Sequence, residues 1–123
     1  MSTASSIALA QLNPHLGNIE ANLDRLLEAR LQAAAVGADI IVTPEMYLSG
    51  YPCDDLVLRS DFMDEIASGL QVLADATSDG GPAIIVGAPH VEDGVITNAV
   101  FILDNGAVQA RRCLLYTSDA ADE

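Results

Sequence analysis

The chain of 123 residues contains no lysine and no tryptophan. Its positive charge rests on five arginines against 18 acidic residues, for a formal net charge of −13. A surface of that sign repels phosphate backbones and anionic bilayers, which argues against nucleic-acid and membrane partners. Cysteine occurs only at Cys53 and Cys113, too few and too far apart to read as a disulfide framework. His15 and His90 are isolated, and neither has a cysteine or carboxylate at metal-ligand spacing. No glycine-rich phosphate loop occurs; Gly17, Gly37 and Gly87 form no fingerprint. No apolar run approaches the roughly 20 residues of a membrane span, and the opening MSTASS has no basic leader. These absences lead to the expectation of a soluble cytoplasmic protein.

What is present is aliphatic. Half of the residues are hydrophobic and only 4% are aromatic, which is enough apolar content for a globular core. The run Ile7–Leu12 stops at Asn13-Pro14 and reads as a strand buried on both faces. Asn18 is a suitable N-cap, and Ile19, Leu23, Leu26, Leu27 and Leu31 recur at helical spacing up to Gly37. A second strand follows at Asp39–Thr43, so the first part of the chain is a βαβ unit with a parallel pair. Pro44 to Pro52 reads as a loop. Ser60 is expected to cap a second helix whose apolar face is Phe62, Ile66, Leu70 and Leu73. Ala83–Ala88, Val95–Leu103 and Ala107–Arg112 read as strands, with hairpin turns at Glu92-Asp93-Gly94 and Asp104-Asn105-Gly106. The fold class expected is α/β, with a mixed sheet that begins parallel and ends antiparallel.

Glu45 is the first residue with a chemical reading. It follows Pro44 just past the end of a parallel strand, where ligands of open α/β sheets collect. A carboxylate partly shielded there by apolar neighbours could act as a general base, or it could only tie down loop amides. Cys53 stands beside Asp54 and Asp55, which disfavour a thiolate, so it reads as a small loop residue. His90 is expected in a loop after the third strand, lining a pocket or solvated. Asn98 interrupts an apolar strand, either to satisfy a buried backbone group or to meet a ligand.

The stretch IALAQLNPHLGNIEANLDRLLEARLQAAAVGADIIVTPEMYLSGYPCDDLVLRSDF resembles the start of a nitrilase-superfamily, or carbon–nitrogen hydrolase, domain. Within it, LSGYPCDDLVLRSDF is similar to the GYPxxDLxxRxDF segment of the glutaminase domains of glutamine-dependent NAD synthetases. IIVGAPHVEDGVITNAVFILDNGAV is similar to the hairpin region of the same domains. The resemblance implies part of an α-β-β-α sandwich and amide hydrolysis by a Glu–Lys–Cys triad. Glu45 matches the base of that triad, and the resemblance implies that the lysine and the nucleophilic cysteine lie beyond Arg112. It further implies glutamine as substrate and a separate synthetase domain that takes ATP, magnesium and deamido-NAD. A homo-oligomer is expected for the full-length enzyme. Within the superfamily the alternative is a stand-alone amidase or carbamoylase; outside it, a non-catalytic α/β binding module.

The last eleven residues, CLLYTSDAADE, match the in-frame translation of a transposon adapter used in sequencing libraries. Residues 1–112 are therefore expected to be an incomplete hydrolase domain and residues 113–123 a non-native tail. Cys113 is then no biological nucleophile, and the 123-residue chain by itself is expected to be inactive.

Overall fold

The computed structural model describes residues 5–50 and 59–114. Cys53, Asp54 and Asp55 lie outside the described residues. The elements run β1 (Ile7–Leu9), α1 (Ile19–Ala35), β2 (Ile40–Val42), α2 (Ser60–Ala76), β3 (Ala83–Glu92), β4 (Val95–Asp104) and β5 (Ala107–Cys113). They form one five-stranded sheet in the order β1-β2-β3-β4-β5. The β1–β2 and β2–β3 pairs are parallel, and the β3–β4 and β4–β5 pairs are antiparallel. The expected α/β class and its parallel beginning are both present.

Local chemistry accounts for the element boundaries. Asn18 caps α1 by accepting from the Ala21 amide at 3.1 Å, and Gly37, at φ 82°, ends it. The N-cap of α2 is Arg59, one residue earlier than expected, with no side-chain cap bond. Both hairpins turn on residue pairs with positive φ, Asp93-Gly94 and Asn105-Gly106, as the tight turn between twisted strands requires.

Residues in register share a face of the sheet. Ala8, Ile41, Ile84 and Leu103 lie in one row and face the helices. Ile84, Val86 and Leu103 are fully buried there, against Leu26 of α1 and Leu73 of α2. The opposite face carries Ile7, Leu9, Val42, Ile85 and Ile102. Among the described residues no second layer covers it. This corrects the expectation that the first strand is buried on both faces. Ile7 and Leu9 are 57% and 70% exposed because β1 is an edge strand and its outer face has no partner layer.

The stripe of α1 differs as well. Leu31 is 68% exposed, whereas Asn22 and Arg30 are buried at 0% and 4% exposure. The Arg30 guanidinium donates to the Pro82 carbonyl at 2.8 Å and forks onto Asp79 at 2.8 and 3.0 Å. It thereby fastens α1 to the turn that leads into β3. That contact and the Gly81 amide hold the Asp79 carboxyl down at about 2.

His90 lies within β3 and not in a loop, because β3 continues through Pro89 to Glu92. Pro89 opposes Asn98, whose carbonyl accepts from the Leu114 amide on the β5 side. The Pro89–Asn98 pair is therefore a non-hydrogen-bonded position of the β3–β4 ladder, and a missing N–H costs no rung there.

Candidate active site

The site is built where β2 ends. Thr43 still follows the ladder, its amide donating to the Ile85 carbonyl at 3.0 Å. Its hydroxyl then replaces a backbone acceptor by taking the Gly87 amide at 3.2 Å. From Pro44 the chain crosses the open face of the sheet directly above Gly87. A Cβ at position 87 would stand 2.6 Å from the Met46 nitrogen and 2.9 Å from the Pro44 carbonyl oxygen. Only glycine admits that crossing. Met46 then adopts φ 54°, a left-handed conformation that costs a non-glycine residue about 1 kcal/mol. The turn sends the chain back toward the helices, where Leu48 donates to the Gly87 carbonyl at 3.0 Å.

A buried polar clamp holds the far side of this turn. Asn22 accepts from the His15 amide at 2.7 Å and donates to the carbonyls of His15 and Leu48 at 2.9 and 3.0 Å. The Tyr47 hydroxyl donates to the Asn22 carbonyl at 2.8 Å. Burial pushes the Tyr47 phenol up, with Arg25 pulling the other way. Met46, Tyr47 and Leu48 are buried, so the segment is anchored and the residue before Met46 is left on the other side.

That residue is Glu45. It is exposed, which corrects the expectation of apolar shielding: the face it stands on has no covering layer. Its carboxylate accepts a hydrogen bond from the side-chain amide of Asn98, 53 residues away in β4. Asn98 is 9% exposed, and its own Oδ1 has no partner among the described residues. Asn98 therefore meets a side-chain carboxylate and not the backbone group that its type suggested. Its signal in the sequence is a lone amide between apolar Ile96 and Val100 on one face of a strand.

Beside the crossing, a cleft of ≈ 280 Å³ opens at the carboxyl ends of β1 and β2. It is lined by Leu9, Ala10, Gln11, Val42, Thr43 and Pro44. Among the described residues this lining has no cationic side chain. Among the described residues no three His, Cys, Asp or Glu side chains gather as metal ligands. None of the described helices is long and apolar enough to cross a membrane.

The other sequence candidates stand apart from Glu45. His15 is exposed in the loop before α1. His90 faces the helices, edge-on to Phe101 with ring centroids 5.9 Å apart, and borders a cleft of ≈ 180 Å³ under α2. Burial and the Arg111 charge hold its imidazole below the usual value, with Glu92 opposing. Cys113 is exposed at the end of β5, its sulfur 3.4 Å from the Thr97 hydroxyl.

Residues 6–112 match the carbon-nitrogen hydrolase family. The glutamine-dependent NAD(+) synthetase of Rhodobacter capsulatus is 40% identical over 105 residues, which cover 85% of this chain and 19% of that protein. The synthetase of the same name from a Synechocystis strain is 39% identical, over 96% of this chain and 23% of its own length. The chain thus spans about a fifth of the length of these curated relatives. Among solved structures, a glutamine-dependent NAD+ synthetase from Acinetobacter baumannii, in complex with ADP, superimposes with a TM-score of 0.80. It is 30% identical, over 87% of this chain and 20% of that one. A mutant amidase of the nitrilase superfamily from Nesterenkonia AN1 gives 0.76 at 26% identity, over 91% of this chain and 44% of its own. With residues 6–112 matched, the chain belongs to the carbon–nitrogen hydrolase family.

Proposed function

We propose that this chain is the first part of the glutaminase domain of a glutamine-dependent NAD synthetase, and that Glu45 is its general base. The observation that carries the reading is the placement of Glu45. It stands just past the carboxyl end of β2, turned onto the open face and hydrogen-bonded by a buried amide. A carboxylate held there can take the proton of a thiol brought against the open face. The thiolate attacks the side-chain amide carbon of glutamine, ammonia leaves, and water hydrolyses the resulting thioester to glutamate. The lysine and the nucleophilic cysteine belong to chain beyond Arg112. The ammonia serves ATP-dependent amidation of deamido-NAD in a separate synthetase domain, which is where ATP and magnesium act. The synthetase names of the curated relatives support this over a stand-alone amidase. The reading carries with it a cytoplasmic enzyme that works as a homo-oligomer.

The test uses the full-length enzyme with either nitrogen source. Glu45→Gln is expected to lower glutamine-dependent NAD formation by roughly 10²- to 10⁴-fold and to leave formation from ammonium salts unchanged. Equal loss with both nitrogen sources, or no loss with glutamine, would remove Glu45 from the role. The 123-residue chain alone is expected to release no ammonia from glutamine, since the rest of a triad acts as a unit with its base.

A further inference from the structure

We propose that Asn98 is the positioning residue for Glu45, fixing the carboxylate through its side-chain amide; this rests on the reading of Glu45 as the base.

The argument begins with what β4 would otherwise carry there. Ile96, Val100 and Ile102 share the open face with Asn98, and any aliphatic residue would continue their row. An amide in that row gives up apolar area and must find partners. Asn98 finds one for its nitrogen, the Glu45 carboxylate, and none for its oxygen among the described residues. A buried oxygen without a donor is destabilising. The reverse orientation would set Oδ1 against the carboxylate, acceptor to acceptor, so the Glu45 contact fixes which way the amide points. The backbone of Asn98 does not need the side chain, because its carbonyl is already bonded to the Leu114 amide at 2.7 Å.

The support behind Asn98 is rigid. It sits in the middle of the longest ladder of the sheet, opposite Pro89, whose ring fixes its backbone angle. Glu45, by contrast, is exposed and at the start of a turn. Without Asn98 its side chain would be free to sample several rotamers, and a carboxylate displaced by about 1 Å loses on the order of 10²-fold in rate.

A double-mutant cycle in the full-length enzyme, read by glutamate release, tests this. Asn98→Leu is expected to lower kcat by roughly 10- to 100-fold with little change in KM. In a Glu45→Gln background the same change should cost less than about 2-fold, because its effect passes through the missing carboxylate. Asn98→Ser, which keeps a donor in a smaller side chain, should recover part of the loss and covers the case of a misfolded leucine variant. Equal losses in both backgrounds, or full activity of Asn98→Leu, would overturn the positioning role while leaving Glu45 as base. A wild-type enzyme that releases no glutamate would overturn the base reading and the positioning role together.

Discussion

The two faces of the sheet are built from the same kinds of residue and meet different fates. Ile84 and Ile7 are both strand isoleucines; Ile84 is fully buried and Ile7 is 57% exposed. The first faces two helices, and the second faces no layer among the described residues. Hydrophobicity marks which residues can be buried, and only a second layer decides which are. The difference also separates stability from chemistry. The helix-covered face holds the aliphatic core, with its polar residues paired, whereas the open face holds the Glu45–Asn98 contact and an amide oxygen without a partner.

The sharpest way to break this comparison is a matched pair of truncations. Ile84→Ala should cost roughly 2–5 kcal/mol, since it leaves a cavity under the helices. Ile7→Ala should fall within about 0.5 kcal/mol. Urea melts of the two variants read both values, and equal costs would mean that the open face is covered in solution. The second test falls on the crossing between the faces. Gly87→Ala should destabilise by about 1–3 kcal/mol, as the Pro44–Met46 backbone must move off β3. In the full-length enzyme proposed above it should also lower glutamine hydrolysis, whereas Gly94→Ala, where a Cβ meets nothing within 4 Å but φ of 77° strains a non-glycine, should loosen its hairpin turn without moving the crossing. A third test uses acid. The Asp79 carboxyl lies at about 2, below its ordinary 3.8, so its pairing with Arg30 contributes fully above about pH 4 and is lost as the pH falls toward 2. Asp79→Asn should flatten that part of the stability–pH curve, measured by thermal melts across it. The smallest effect is in association. Leu9→Ser should leave the melting point nearly unchanged but reduce self-association of the 123-residue chain by light scattering, because that residue is a 70% exposed edge leucine.

Much of the covered face was legible in the sequence. Phe62, Ile66, Leu70 and Leu73 recur at helical spacing and are buried as that spacing requires. The two hairpins were legible because Asp93-Gly94 and Asn105-Gly106 supply the positive φ that such turns need. Asn22 and Arg30 were not read as buried, because periodicity ranks residues by polarity and neither shows its partners. Those partners are remote carbonyls at His15, Leu48 and Pro82. The site was half legible. Glu45 could be read from local order, a strand and then Pro44. Its bond to Asn98 joins residues 53 apart, through a strand crossing that depends on a glycine in a third element.

Pro89 gives the ladder a fixed end. Counting the alternation back from Asn98, its missing N–H points toward the side where β2 would run if it were longer. No rung can form there, so a longer β2 could gain no rung beyond Gly87, whose amide and carbonyl are already taken by the Thr43 hydroxyl and the Leu48 amide. A ring closed on nitrogen thus bounds how far the neighbouring strand, the one that delivers the acid, could be lengthened.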